Sequence, residues 1–284
     1  MPQFSPFTIS THQKLVTFDR PAVMGILNVT PDSFYDGGQY IADDDAISHA
    51  RELLNAGADI IDVGVVSSRP GSFLANPEDE AARLSHIVKK LRQNLPADTL
   101  ISVDTCFSLP ARKAIEAGAD IINDISGGQF DKQMFATVAD LQVPYILMHT
   151  RGTPDTMQSP ENTHYSDIIH DLALYFSEKL DQLYRLGVKD VWIDPGFGFA
   201  KTLDQNHELL ERLGELVSLF PQQPLLTALS NKSMISKRID DSELGTIVLD
   251  ALALRCGSRI LRVHDPLPAR KTIQLLFPKC DNNS

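Results

Sequence analysis

Eight short runs of hydrophobic residues alternate along the chain with longer segments of helical period. Each run is rich in Val, Ile and Leu and ends in polar or turn residues, which is typical of buried parallel strands. The runs cover residues 22–29, 58–64, 99–104, 119–125, 143–149, 190–195, 224–230 and 258–264. The pattern therefore predicts repeated strand–helix units around a parallel sheet.

Seven segments of helical period lie between and after these runs. They cover residues 44–57, 77–95, 108–118, 166–187, 205–220, 243–257 and 267–277. Several end at a glycine, the usual residue just past a helix C-terminus. These glycines are Gly57, Gly118, Gly187 and Gly257.

The number of units predicts the fold class. Eight units in about 260 residues match the usual size of a closed barrel, roughly 250 residues. We therefore predict an α/β protein with a (β/α)8 TIM barrel in a single domain, and an open doubly wound sheet is the alternative. Residues 1–20, in which TIST and KLVTF flank a polar pair, are expected to form a short hairpin ahead of a barrel domain at 21–284.

Composition and charge disfavour several classes of protein. The 284 residues include 26 Lys and Arg against 37 Asp and Glu, a formal net charge of −11, so bulk attraction to nucleic acid or an anionic membrane is not expected. Three widely spaced cysteines predict neither a disulfide framework nor a thiolate zinc site. The N-terminus lacks the layout of a signal peptide, and no stretch approaches the roughly 18 apolar residues of a membrane span. We expect a cytoplasmic protein.

Cationic side chains follow several of the predicted strands, where the loops of a barrel open on one face. Arg69, Lys232, Arg262 and His264 would converge there, and together they predict an anion site because arginine binds phosphate bidentately and lysine supplies a point charge. Asn28 would offer a neutral oxygen to a magnesium ion that carries a diphosphate. Any one polar residue at a strand end equally suits a helix cap or a turn.

A second cluster suits the edge of a heteroaromatic ring. Asp104, Asn123 and Asp194 end three other strands, and carboxylate and amide groups pair well with the N–H array of an amino-pyrimidine. Apolar walls for such a ring would come from Met148, Phe199 and Ile125, although the same side chains equally suit a core. His149, His164 and His170 lack metal-ligand spacing, and we interpret them as structural.

Eight segments, taken in order, resemble one known family. They are MGILNVTPDSFYDGG, DVGVVSSRPGS, ISVDT, INDISGG, LMHTRGTPDTMQ, IDPGFGFAKT, LSNKSMI and LRVHD. They are similar to the dihydropteroate synthases, the pterin-binding barrels targeted by sulfonamides. The resemblance implies a (β/α)8 barrel, usually a homodimer, that joins 4-aminobenzoate to 6-hydroxymethyl-7,8-dihydropterin diphosphate and releases pyrophosphate. Magnesium accompanies the diphosphate.

The resemblance also implies roles for individual residues. Four side chains hold the pterin ring: Asp104, Asn123, Asp194 and Lys232. Arg262 stacks on the ring and helps bind phosphate, and Asn28 meets the magnesium ion or the diphosphate. The anion and aminobenzoate region is lined by Ser68, Arg69 and His264. Three residues form the aminobenzoate pocket when the first two loops close: Phe34, Pro70 and Ser233.

The chemistry expected at this site is direct transfer. Departure of pyrophosphate leaves positive charge on the pterin methylene, which Asp104 and Asp194 stabilise, while Lys232, the other cations and magnesium stabilise the leaving group. The aniline nitrogen is largely unprotonated at neutral pH, so no strong general base is required. The sequence predicts no nucleophile with a paired base.

Two positions depart from the family pattern and keep alternatives open. Many members have Glu where this chain has Val66, and Arg where it has Asn231. These changes favour a non-catalytic or repurposed pterin-binding paralogue as the alternative to the synthase. A pterin-binding module of a methyl-transfer enzyme is a third hypothesis, but such a module has no use for a diphosphate site built from Arg69, Arg262 and His264.

Overall fold

The structure is a computed structural model that describes residues 4–12, 14–29, 39–65, 76–230 and 232–278. Side chains at 39–42 and 233 lie outside this description. Statements below about what the structure contains refer to these ranges.

Two antiparallel strands precede eight parallel ones in the described part of the chain. The hairpin pairs β1 (Phe7–Ser10) with β2 (Leu15–Phe18). The parallel strands are β3 (Ala22–Asn28), β4 (Ile60–Gly64), β5 (Leu100–Asp104), β6 (Ile121–Asp124), β7 (Tyr145–Met148), β8 (Val191–Asp194), β9 (Leu226–Thr227) and β10 (Ile260–Val263).

The strand order closes the sheet. Neighbouring strands run in the order β8-β7-β6-β5-β4-β3-β10-β9, and a parallel bridge between Ile193 and Leu225 joins its two ends. The predicted hairpin and (β/α)8 barrel are therefore confirmed, and the open doubly wound sheet is wrong. The division of the chain into parts at residues 1–20 and 21–284 stays a prediction.

Helices surround the barrel. They are α1 (Gln39–Asn55), α2 (Pro77–Asn94), α3 (Ser108–Glu116), α4 (Met134–Leu141), α5 (Ile168–Arg185), α6 (Leu203–Glu211), α7 (Leu213–Leu219), α8 (Ser233–Ser236), α9 (Ser242–Arg255) and α10 (Pro266–Leu276). The four glycines expected just past helix ends all adopt positive φ, from 90° to 114°. Among the helices of the described ranges, none is long and apolar enough to cross a membrane. The cytoplasmic location stays a prediction.

Three elements differ from the sequence prediction. The helix expected over 205–220 is broken at Arg212, whose guanidinium donates to Glu208 and Glu215 on either side of the break and also to Asp167. Helix α4 was not predicted, because its sequence MFATVADL is short and mostly apolar, with Asp140 as its one charged residue. Strand β9 keeps only Leu226–Thr227 of the run predicted at 224–230.

The end of the barrel at the strand N-termini is filled by apolar side chains and sealed by the hairpin. Phe7 stacks on Phe18 and lies edge-on to Trp192, with ring centroids 4.9 and 5.9 Å apart. The backbone N–H of Ser10 donates to Asp190 at 2.8 Å. The inner layer here consists of Ala22, Met24, Ile60, Leu100, Ile121, Ile146, Trp192, Leu226 and Ile260.

Strand alternation then places polar residues at the opposite end. Side chains two positions further along a strand face the same side, so Asp62, Ser102, Asn123, Asp194 and Arg262 follow the apolar layer inside the barrel. The strand registers put Asp62 beside Ser102, and Asp104 beside Asn123. The apolar layer at one end of the barrel and the polar layer above it place the site at the carboxyl ends of the strands.

Candidate active site

A buried ion-pair network crosses the barrel interior between β4, β5, β6 and β10. Arg262 donates from Nε to Asp62 Oδ2 at 2.7 Å and from Nη2 to Asp104 Oδ2 at 2.8 Å. The same Asp62 Oδ2 accepts from Asn123 Nδ2 at 2.9 Å. Three side chains assigned to the pterin by resemblance, Asp104, Asn123 and Arg262, are therefore brought together in the structure.

Asp104 and Arg262 of this network differ in how fully each is charged near neutral pH. Burial raises the pKa of Asp104 to about 7, Arg262 opposes the rise, and Asp62, Glu80 and Asp124 add to it. Burial lowers the pKa of Arg262, but the carboxylates of Asp62 and Asp104 raise it overall. Near neutral pH the guanidinium is charged, while Asp104 lies close to the midpoint of its titration.

A second group forms where β8 and the β9–α8 connection meet. Asp194 Oδ1 accepts from the backbone N–H of Gly196 at 2.7 Å, and Lys232 Nζ lies 4.7 Å from the ring centroid of Phe199. Burial raises the pKa of Asp194. Burial also lowers the pKa of Lys232 to about 8, and the negative charge of Asp194 opposes this fall. Met148 is the register neighbour of Asp194 on β7 and is buried. The predicted residues Asp194, Lys232, Phe199 and Met148 thus share one side of the mouth.

A buried lysine that the sequence analysis did not single out holds the loop after β8. Lys201 Nζ donates to the carbonyls of Gly196 and Phe199, both at 3.0 Å, and lies 3.1 Å from His149 Nδ1. Burial lowers the pKa of Lys201 to about 7, with Asp194 opposing. Gly196 has φ +70°, and a Cβ there would lie 2.1 Å from the His149 carbonyl oxygen. His149, interpreted as structural, therefore supports the loop that carries Phe199.

His264 enters the site as a neutral imidazole. Burial lowers its pKa, and the nearby charges of Arg262 and Lys232 lower it further. Its Nδ1 lies 3.0 Å from Ser230 Oγ. The absence of a nucleophile with a paired base stays a prediction, and Ser230 with His264 is the pair at which it is tested. Because Arg262 is already paired with two carboxylates, the described part of the mouth carries less net positive charge than the number of basic residues alone would give.

The metal prediction depends on Asn28, which ends β3 and is exposed. Gly64 lies beside it on β4, and a Cβ at Gly64 would lie 3.5 Å from Asn28 Oδ1, an ordinary van der Waals contact. Within the described ranges no group of three or more His, Cys, Asp or Glu side chains is arranged to hold a metal ion. The structure thus offers one neutral oxygen rather than a preformed metal cage.

Several predicted residues cannot be placed. Phe34, Ser68, Arg69 and Pro70 lie outside the described residues, and so do Val66 and Asn231. Ser233 is the first residue of α8, and its side chain is not described. The aminobenzoate pocket therefore stays a prediction.

One further residue of the network was missed at the sequence level. Asp62 sits inside the apolar run 58–64, where it was counted as part of a strand. The sequence signal that could have identified Asp62 was its position in the strand, two residues beyond the core residue Ile60 and two before the open end at Gly64. What the sequence did not reveal is its partner, Arg262, which lies 200 positions away.

Comparisons with known proteins agree with the fold and with the chemistry of this mouth. The sequence model of the family described as pterin binding enzyme matches residues 24–264. A dihydropteroate synthase of Synechocystis sp. is 43% identical over 253 residues, which is 87% of this chain and 86% of the relative.

Solved structures give the same result. The structure of the Yersinia pestis dihydropteroate synthase with a sulfonamide drug complex has a TM-score of 0.85 at 33% identity, covering 95% of this chain and 97% of that one. The Xanthomonas albilineans dihydropteroate synthase with 4-aminobenzoic acid has a TM-score of 0.83 at 33% identity, covering 95% and 96%.

Proposed function

Because this chain belongs to the family of pterin binding enzymes, we propose that it catalyses the dihydropteroate synthase reaction of folate biosynthesis. It joins 6-hydroxymethyl-7,8-dihydropterin diphosphate to 4-aminobenzoate and releases pyrophosphate. The observation that carries the proposal is the set of Asp104, Asn123, Asp194, Lys232 and Arg262 at one mouth of the barrel, in a chain 43% identical to a named synthase.

The residues divide the work of the reaction. The aniline nitrogen attacks the pterin methylene as its C–O bond to the diphosphate breaks, and the nitrogen then loses a proton. Asp104 and Asp194 face the cationic pterin, so their negative charge stabilises the charge that develops on the methylene. Lys232 pairs electrostatically with Asp194 and lies over one face of Phe199. This contact orients the Phe199 ring and excludes water from it.

Magnesium fits the residues present at the mouth. Mg²⁺ prefers oxygen ligands and is usually bound through few protein groups together with substrate phosphates and water. Asn28 Oδ1 supplies such a neutral oxygen at the exposed end of β3. When bound, the ion would neutralise charge on the leaving pyrophosphate. We therefore propose Mg²⁺ as the cofactor, with Asn28 as its protein ligand.

Direct transfer makes a prediction about the Ser230–His264 pair. If the aniline attacks the methylene itself, the hydroxyl of Ser230 forms no covalent intermediate, and Ser230→Ala should keep kcat within about threefold of the wild-type value. If the reaction instead passed through a covalent intermediate on Ser230, Ser230→Ala would lower kcat by about a thousandfold or more. Steady-state pyrophosphate release separates the two outcomes.

A second copy of the chain is the partner we propose for helix α9. Three large apolar residues, four positions apart and on one face, are about half exposed: Leu244 (53%), Val248 (48%) and Leu252 (46%). Such a stripe on an otherwise folded helix suits a two-fold interface, in which the same surface meets itself. A homodimer buries it.

Charge placed in this stripe should separate the subunits. We expect the wild-type protein to have twice the chain mass of 31.4 kDa by size-exclusion chromatography with light scattering, and Val248→Glu to run as a monomer. Leu174→Glu is the matched control, since Leu174 is also about half exposed and lies on α5, away from the stripe. A wild-type monomer, or a Val248→Glu dimer, contradicts this interface.

The function itself is tested with purified protein, the pterin diphosphate, 4-aminobenzoate and Mg²⁺. We expect pyrophosphate release that requires all three additions, and inhibition by a sulfonamide that rising 4-aminobenzoate relieves. Pterin binding without release would reject the synthase and favour the non-catalytic paralogue.

A further inference from the structure

Asp62 lies beneath the mouth of the barrel, in the middle of β4. It is fully buried, and its two carboxylate oxygens differ in their surroundings. Oδ2 accepts from both Arg262 Nε and Asn123 Nδ2, at 2.7 and 2.9 Å. Oδ1 is buried without a hydrogen-bond partner among the described residues.

This placement is unfavourable for a residue that serves only packing. Burying a carboxylate costs free energy that hydrogen bonds must offset, and an unpaired oxygen leaves part of that cost in place. Its register neighbours on β3 and β5 offer it no side-chain hydrogen bond, since Ile26 is apolar and the Ser102 hydroxyl has no partner among the described residues. The carboxylate therefore suits its two partners better than it suits the core.

We propose that Asp62 is a positioning residue for pterin binding, which acts by fixing Arg262 and Asn123. The inference rests on the proposed function, because both partners belong to the pterin site assigned there. Asp62 is not expected to contact the reacting atoms.

Its effect on Arg262 is geometric and electrostatic. The guanidinium binds Asp62 through Nε and Asp104 through Nη2, and two carboxylates on two edges fix the plane of this flat group. Asp62 also shares the positive charge, so Asp104 is not the sole counterion of Arg262. The carboxylate of Asp104 thereby remains available to the substrate.

Its effect on Asn123 is to set the orientation of the amide. An amide offers two N–H donors and one carbonyl acceptor. Because one N–H of Nδ2 is bound to Asp62, a flipped amide would bring two oxygens together. The carbonyl oxygen of Asn123 is therefore the atom presented to a donor of the pterin ring.

The test is a double-mutant cycle with two readouts. Asp62→Ala should raise KM for the pterin diphosphate at least about tenfold and leave KM for 4-aminobenzoate within about twofold. In an Arg262→Ala background, Asp62→Ala should lower kcat/KM by a clearly smaller factor than in the wild type, because only its effect through Asn123 then remains. Losses that multiply in the double variant, or equal effects on both KM values, overturn the proposal.

Two further variants separate positioning from folding. Asp62→Asn keeps an oxygen that can accept from both partners but loses the charge, so we expect a smaller rise in KM than with Asp62→Ala. Ser102→Ala is the matched control, since its hydroxyl is buried beside Asp62 and has no partner among the described residues, and KM should stay within about twofold. A large fall in Tm for Asp62→Asn with an unchanged pterin KM would make the role structural.

Failure of the proposed function is distinguishable from failure of this inference. If wild-type protein binds 6-hydroxymethylpterin in calorimetry but releases no pyrophosphate, the synthase assignment fails, and the same variants are compared by Kd. Weaker binding by Asp62→Ala but not by Ser102→Ala then still supports the positioning role. If wild-type protein does not bind the pterin, both are rejected.

Discussion

Lys232→Ala is expected to lower kcat/KM for the pterin diphosphate at least about 100-fold, equivalent to about 2.7 kcal/mol of transition-state stabilisation. The reason is that Lys232 supplies positive charge beside Asp194 and covers the face of Phe199 at 4.7 Å. Its removal takes away the cation that interacts most strongly with the Asp194 carboxylate and exposes the Phe199 ring to water. Steady-state pyrophosphate release measures the effect.

Lys237→Ala is the control for this variant. Lys237 lies five residues further along and is exposed, so its removal changes the net charge equally without touching the mouth. We expect its kcat/KM to stay within about twofold of wild type. Near-normal turnover by Lys232→Ala would mean that the site has been placed wrongly.

Asp104→Ala is expected to abolish most turnover, and the pH profile of the wild-type enzyme should report the same carboxyl. Burial raises the pKa of Asp104 to about 7. Protonation removes the negative charge that faces Arg262 and the developing cation, so kcat/KM should fall towards tenfold per pH unit below that pKa, and it should fall again above about pH 8 as Lys232 loses its charge. The profile belongs to the free enzyme and is measured at saturating 4-aminobenzoate.

Asp104→Asn separates the charge from the hydrogen bond. This variant should have low kcat/KM and should lose the acidic limb that ends near pH 7. Asp98→Asn is the control, because Asp98 is exposed near the opposite end of the barrel, and its profile should match the wild type. A wild-type kcat/KM that is flat from pH 5 to pH 8 contradicts the role given to Asp104.

The fold could be predicted from sequence because its signals are local. Each strand run ends in turn or polar residues, and Gly57, Gly118, Gly187 and Gly257 end helices with positive φ. Where the local signal was weak, prediction failed: α4 has a single charged residue, Asp140, and at the break between α6 and α7 Arg212 donates to Asp167, the N-cap residue of α5.

The site was predictable to the extent that one barrel face collects the strand ends. Asp104, Asn123, Asp194, Lys232 and Arg262 lie at that end of the barrel, as expected, and their roles in binding and catalysis stay predictions. What could not be predicted is how charges compensate one another across the barrel. Asp62 and Lys201 bind partners from distant segments, and the neutral state of His264 follows from its burial and from nearby cations.

We expect this barrel to join two rings through a new carbon–nitrogen bond. The most direct measurement is mass spectrometry of the product formed from the pterin diphosphate, Mg²⁺ and 4-aminobenzoate labelled with ¹⁵N at the amine. We expect a product that contains both rings, retains the label and appears in step with pyrophosphate. Unchanged substrates, or a hydroxymethyl pterin without the labelled ring, would contradict the account.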